Sequence, residues 1–192
     1  NNYLMGIVYL DGKYGVSTAD ISTGDFLVTE VESDRELFDE INKFSPSEII
    51  CNNAFYMSGV DLDELKNRYH VAVSDLDSHF FGDESCRKVL REHFKVGALS
   101  GLGLDDYSVG VIAAGAVMQY MYETQKSTLE HITSITPYST GQFMIIDTST
   151  RRNLELVETM REKQKRGTLL WVLDKTKTAM GARLLRNYIE QP

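Results

Sequence analysis

Cysteine is scarce in this sequence: Cys51 and Cys86 are the only two in 192 residues. No CxxC pair and no histidine at ligand spacing accompanies them, which excludes a disulfide framework or a zinc knuckle and points to two unpaired thiols in a reducing compartment. The four histidines, His70, His79, His93 and His131, are scattered without a metal pattern. Proline is rare as well, with three residues, and no internal repeat or low-complexity stretch is present. No apolar run approaches the roughly 18–20 residues that span a bilayer, so no membrane partner and a cytoplasmic location are expected. The opening "NNYLMGIVYL" has neither a basic n-region nor a small-residue cleavage pattern, and it lacks an initiator Met. The close, "RNYIEQP", stops on a proline just after a helical pattern. Both ends read as cut, and the chain is expected to be a piece of a longer protein. Nothing matches GxxxxGK[ST] or GxGxxG, so no nucleotide phosphate site is expected. No Ser/His/Asp or Cys/His arrangement stands out either, and the chain is not expected to be an enzyme by itself.

What is present is an ordinary globular composition, 42% hydrophobic and 25% charged, enough to bury a core. The net charge of −8 is unevenly spread. Residues 1–128 carry 10 Lys and Arg against 21 Asp and Glu, a net −11, whereas residues 129–192 carry 10 against 7, a net +3. Such asymmetry suggests two domains with different neighbours. The acidic part would repel a phosphate backbone.

The first third alternates as strands do, over 3–12, 14–23 and 24–33, parted by Asp11-Gly12 and by Thr23-Gly24-Asp25. A helix follows over 34–44, capped by Ser33 or Asp34, with Leu37, Phe38, Ile41 and Phe44 on one face. Pro46 ends it. Then come a buried-type strand at 47–53, a helix at 61–69, a strand at 70–75 and a helix at 83–94. The order β-β-β-α-β-α-β-α predicts a mixed sheet with helices on its faces, the order of the ribonuclease H-like fold. A Gly-rich stretch, 96–106, reads as a hinge before a helix over 107–126 that is apolar nearly all round and expected between layers. Two short strand-like pieces surround Pro137 and Gly141, and helical patterns cover 148–165, about 167–173 and 178–190.

Several residues are candidates for chemistry. A ribonuclease H-type nuclease needs carboxylates converging on two metal ions, and Asp11, Asp20, Asp25, Asp75 and Asp77 are the acids available. Asp11 and Asp25 fall in turns that favour Asp for its own sake, and no Glu completes a cluster with Asp20. The nuclease is therefore the alternative reading. Independent nucleic-acid binding by the basic end is a third. Arg151 and Arg152 stand near a helix N-terminus, where cations oppose the macrodipole. Asp147 can cap that helix and Glu155 lies four residues from Arg151. Gly181 sits within the last helix, where glycine costs about 1 kcal/mol against alanine and is tolerated if another backbone comes close.

The blocks "DTSTRRNLELVET" (147–159) and "GTLLWVLDKTKTAMGARLLRNYIEQP" (167–192) resemble the start of the core domain of the bacterial DNA mismatch-repair MutS family. The match runs through Asp147, Thr150, Arg151, Arg152, Asn153, Leu154, Glu155 and Leu156, then Leu173, Asp174, Thr176, Thr178, Met180, Gly181 and Arg183; Thr168 replaces the usual Ser, and Tyr188-Ile189 the usual Trp-Leu. "YGVSTADISTGDF" (14–26) is similar to the opening hairpin of the family's connector domain, and 113–135 to the helix leading from connector to core. The resemblance implies an α/β plus all-α chain: residues 1–127 as a ribonuclease H-like mixed-sheet connector, and residues 128–192 as the first segment of a helical core domain. It implies a mechanical role, carrying ATP-driven conformational change between the ATPase and the mismatch and clamp domains. MutL, other MutS domains and a second MutS subunit are the implied partners. Mismatched duplex DNA, ATP and Mg would be bound by other parts of the full-length protein, and no cofactor by this part. Lys88, Val89, Glu92 and His93 on the 83–94 helix are the expected MutL-facing residues. Arg151, Arg152, Asp147 and Gly181 are expected to hold segments of the core together.

Overall fold

The computed structural model describes residues 2–125, 128–140 and 148–190, apart from the side chains of Arg68, Thr148, Ser149 and Arg151. Two compact units emerge, Asn1–Thr140 and Gly141–Pro192.

The first unit is built on a six-stranded mixed sheet. Strands β1 (Tyr3–Leu10), β2 (Lys13–Asp20) and β3 (Asp25–Val31) form the expected antiparallel meander. Asp11 and Gly12 both take positive φ, 52° and 76°. That pair of values is what a two-residue hairpin loop requires to match strand twist, and Asp-Gly supplies it cheaply. Helix α1 (Asp34–Phe44) follows, its Ser33 Oγ accepting the Glu36 N–H at 3.2 Å. Then come β4 (Glu48–Cys51), the short α2 (Asn53–Tyr56), α3 (Leu62–Arg68) and β5 (Ala72–Asp75). A 3-10 turn, Ser78–Phe81, leads into α4 (Asp83–Phe94). A second, Leu99–Leu102, precedes α5 (Ser108–Thr124). The two-residue β6 (Thr136–Pro137) closes the sheet, whose order is β5-β4-β1-β2-β3-β6. Only β2 runs against its neighbours.

Strand alternation sends Tyr3, Met5, Ile7 and Val16 to one face, under Leu37 and Ile41 of α1, Phe55 of α2 and Leu65 of α3. Leu4, Ala19, Phe26 and Val28 face the other way, under α5 and Leu90 of α4. Helix α5 is buried along Val109–Met118 because it has the sheet beneath it and α4 above. Its first turn lacks a local side-chain cap. Glu30 of β3 serves instead: its Oε1 accepts the N–H groups of Val109 at 3.0 Å and Gly110 at 3.2 Å, a carboxylate set against the positive end of the helix. Among the described residues, no helix is long and apolar enough to cross a membrane.

Three expectations change. The Gly-rich stretch 96–106 is not a hinge between bodies. Leu99 and Leu104 are buried in the α5-side core and fasten it between α4 and α5 within one unit. Residues 128–140 also pack with the first unit, beyond the 127/128 boundary, because Leu129, Ile132 and Ile135 join the α5-side core and Tyr138 the α1-side core. Finally, the helix expected over 148–165 ends early. Helix α6 spans Thr148–Asn153 and the chain then turns, with Glu155 and Lys163 at positive φ. Residues 158–166 are mostly charged and offer no apolar stripe to bury, so nothing sustains a helix there.

In the second unit, α7 (Leu169–Leu173) starts at Thr168, whose Oγ1 accepts the Trp171 N–H at 3.1 Å. Helix α8 (Ala179–Glu190) starts at Thr178, whose Oγ1 accepts the Gly181 N–H at 3.0 Å. Among the described residues, the core of the second unit is Leu156, Leu170 and Ile189, with Val157 and Leu185 against them.

Candidate functional site

The carboxylates that a nuclease would need do not converge. Asp20 is buried at the end of β2, and its Oδ1 accepts from the N–H and Oγ of Ser22 at 2.9 and 2.6 Å. Asp25, its register partner on β3, accepts from Thr23 Oγ1 at 2.9 Å. Asp75 and Asp77 lie on the far side of the sheet, around β5 at the opposite edge. Among the described residues no three His, Cys, Asp or Glu side chains are grouped so as to hold a metal ion. Both thiols are free and buried; burial pushes Cys51 and Cys86 up to about 12, which keeps them protonated and poorly nucleophilic.

The outward face of α4 carries the residues expected to meet a partner. Lys88 pairs with Glu92 at 3.8 Å, and both are exposed. Arg87 pairs with Asp83 at 3.0 Å and Arg91 with Glu84 at 3.0 Å, so the helix compensates its own charges. Val89 and His93 face partly inward. Val89 packs against the α5-side core. His93 Nε2 donates to the Ile132 carbonyl at 2.7 Å, which leaves Nδ1 to accept from the Tyr122 hydroxyl at 2.6 Å; the tautomer follows because a carbonyl only accepts. Lys88 and Glu92 are thus the solvent-facing half of the set.

Of the residues expected to tie the core together, Asp147 lies outside the described residues. Arg151 is described by its backbone alone, within α6. Arg152 is exposed. A Cβ on Gly181 would meet Thr178 Oγ1 at 3.1 Å and Thr176 Cβ at 3.4 Å, side chains of its own capping loop and not another backbone. Part of the apolar side of α8 faces solvent: Met180 is 78% exposed, Leu184 52% and Tyr188 65%, whereas Leu185 and Ile189 turn into the core. Leu169, Trp171, Val172 and Leu173 on α7 are also exposed.

Apart from one spacing, a buried polar cluster on the α1 side is not evident from local sequence pattern. Glu40 is 5% exposed, and its Oε2 accepts the hydroxyl of Tyr138, itself buried. Lys43 Nζ lies 4.7 Å from the Tyr138 ring centroid and 5.1 Å from that of Phe44, as in cation–π contacts. One signal was available: Glu40 falls three residues after Leu37 and four before Phe44, on the apolar stripe of α1. Burial is the main reason that the Glu40 carboxyl is held above its ordinary value. Glu36 and Asp39 push it further up, while Lys43 and the Tyr138 hydroxyl pull it back. A carboxyl raised in this way stabilises the fold fully below its unfolded pKa and loses that contribution as pH rises through the folded one. Glu40→Gln is therefore expected to melt higher than the parent at about pH 8, with the advantage shrinking as the pH is lowered towards about 4. Melts of both proteins across that range check the sign.

Comparison with known proteins follows the same division. The family model for MutS domain II matches residues 2–133, and that for MutS domain III matches residues 149–192. The DNA mismatch repair protein MutS of Lachnoclostridium phytofermentans is 62% identical over 192 residues, covering all of this chain and 21% of that protein. The DNA mismatch repair protein MutS of Ruminiclostridium cellulolyticum is 44% identical over 195 residues, covering all of this chain and 22% of that protein. That of Protochlamydia amoebophila is 36% identical over 193 residues, again with 22% of its length covered. The chain spans about a fifth of the length of these curated relatives.

Proposed function

Because the chain belongs to the MutS family of DNA mismatch repair proteins, we propose that its two units carry conformational change rather than chemistry. The first unit serves as a connector, and the second as the opening segment of a helical core. A ribonuclease H-like reading of the connector is supported by the order β3-β2-β1-β4-β5 with β2 alone reversed. Mechanically, a sheet clasped between α1 and α5 behaves as a rigid body, since packed interiors transmit strain instead of absorbing it. ATP and Mg are handled elsewhere in the whole protein, in the cytoplasm, and mismatched DNA meets other domains. The acidic first part disfavours direct contact with phosphates. The observation that carries this reading is that the two family matches, 2–133 and 149–192, each fall within one of the two compact units.

The test uses the whole protein, with labels at Ser100→Cys in the first unit and Arg183→Cys in α8. Both positions are exposed, while Cys51 and Cys86 are buried with raised thiol pKa values and should stay unlabelled. ATP is expected to change the distance distribution between the labels. An unchanged distribution refutes transmission through these units.

The exposed Lys88–Glu92 part of α4 is proposed as the face offered to MutL. Lys88→Glu, which breaks a surface pair worth a few tenths of a kcal/mol to the helix, is expected to weaken MutL binding roughly three- to tenfold with little change in melting temperature. Titration of MutL against Lys88→Glu and against the swapped pair Lys88→Glu, Glu92→Lys measures this. Parent-like affinity in both moves the interface elsewhere.

A further inference from the structure

Residues 128–140 form a strap that crosses the β3 edge of the sheet, and its two halves are held differently. The first half is buried by hydrophobic contact: Leu129, Ile132 and Ile135 join the α5-side core with Phe26. His93 donates to the Ile132 carbonyl, and His131 Nε2 donates to the Ile21 carbonyl at 2.5 Å. The second half has little ladder to rely on. Strand β6 is two residues long, and one of them, Pro137, has no N–H to give.

Tyr138 compensates for that short ladder with a set of directional contacts. Its N–H donates to the Val28 carbonyl at 3.0 Å, and its own carbonyl accepts from Thr29 Oγ1 at 2.6 Å. Its hydroxyl donates to Glu40, and its ring lies beneath Lys43 and 6.4 Å from the ring of Phe44. These partners come from two elements, β3 and α1, so Tyr138 ties the strap both to the sheet edge and to the helix covering it.

We infer that Tyr138 is a latch: its hydroxyl bond to Glu40 keeps the end of the strap on the sheet, and breaking that bond frees β6 while the Leu129–Ile135 half stays bound. Load arriving through the chain after Thr140 then reaches α1 and β3 together instead of peeling the strap away. This role rests on the force-transmitting reading above, but the structural claim can be tested without ATP or any partner. The two can therefore fail separately.

Hydrogen exchange resolved by residue, on the full 192-residue chain, is the measurement. Tyr138→Phe removes the hydroxyl and leaves a buried carboxyl without its donor. The amide at position 138 should then exchange roughly 10- to 100-fold faster, the factor expected for leaving a buried polar group unsatisfied. The Ile132 amide, bonded to the Leu129 carbonyl, and the β2 amides should keep their parent rates. Glu40→Gln keeps an acceptor oxygen and should hold position 138 to within about threefold of the parent. Three outcomes overturn the latch: parent-like exchange at 138 in Tyr138→Phe, equal acceleration at 138, 132 and in β2, or a Glu40→Gln as fast as Tyr138→Phe. If the latch passes while ATP-driven movement is absent in the whole protein, the device stands and only its mechanical use falls.

Discussion

Truncating Phe55 to alanine is expected to lower the stability of the first unit by about 3–5 kcal/mol and its melting temperature by roughly 6–20 °C. Phe55 is fully buried although it lies in a helix of only four residues. Asn52 makes this possible. Its Oδ1 accepts the N–H groups of Phe55 and of Tyr9, at 3.1 and 3.0 Å, and its Nδ2 donates to the Tyr9 carbonyl at 3.0 Å. The short helix is thereby fastened to β1, and the Phe55 ring is delivered edge-on to Tyr14, centroids 6.1 Å apart, in the cluster with Met5, Ile7, Leu37 and Leu65. A helix so short has no stability of its own with which to collapse around a cavity. Phe55→Leu, closer in volume, should lose less than half as much. Thermal melts of the two variants decide: equal small losses would mean that the ring is not an anchor.

Gly115→Ala should be almost as damaging, by about 2–3 kcal/mol, or roughly 4–12 °C in melting temperature. On helix propensity alone, alanine would gain about 1 kcal/mol. Packing outweighs that gain. A Cβ at this position would stand 2.3 Å from Cys86 Cβ, 2.5 Å from Cys86 Cα and 2.9 Å from its carbonyl oxygen, against the roughly 3.5–4.0 Å of an ordinary carbon contact. Because α5 is held by the sheet on its other side, relief requires moving α4 bodily. Adding Cys86→Gly should restore only part of the loss, since the Cα and carbonyl clashes remain. Full recovery in the double variant would show that the crowding is between side chains alone.

Local features of this fold could be read directly. The Asp11-Gly12 turn, the period-2 strands and the cap at Ser33 each depend on residues within a few positions of one another. The division into an acidic α/β part and a later helical part was legible from charge and pattern, and the long matching blocks made the family legible too. What escaped lay far apart along the chain. Glu30 caps a helix 79 residues away, and Tyr138 bonds to Glu40 across 98 residues. Position 40 looked like an ordinary helix-surface glutamate except for its spacing. The charged run 158–166 kept helical propensity, but with no apolar face to bury it turned instead. On α4, spacing placed Lys88, Val89, Glu92 and His93 on adjoining turns; only the packing of α5 and the strap separated the two that turn inward from the two that meet solvent.

The amino-acid order alone determined strands β1 to β5, helices α1, α3, α4, α5, α7 and α8, where most of them begin, and to which family the chain belongs, because propensity, periodicity and capping act over a few residues; the short α2 and the early end of α6 were not among them. Tertiary structure alone decided that 96–106 is fastened, that 128–140 straps the first unit, and that a glutamate on α1 is buried beneath a tyrosine. Those outcomes depend on which surfaces exclude water together, and that is a property of the assembled sheet and its two helical layers, written in no single stretch of the chain.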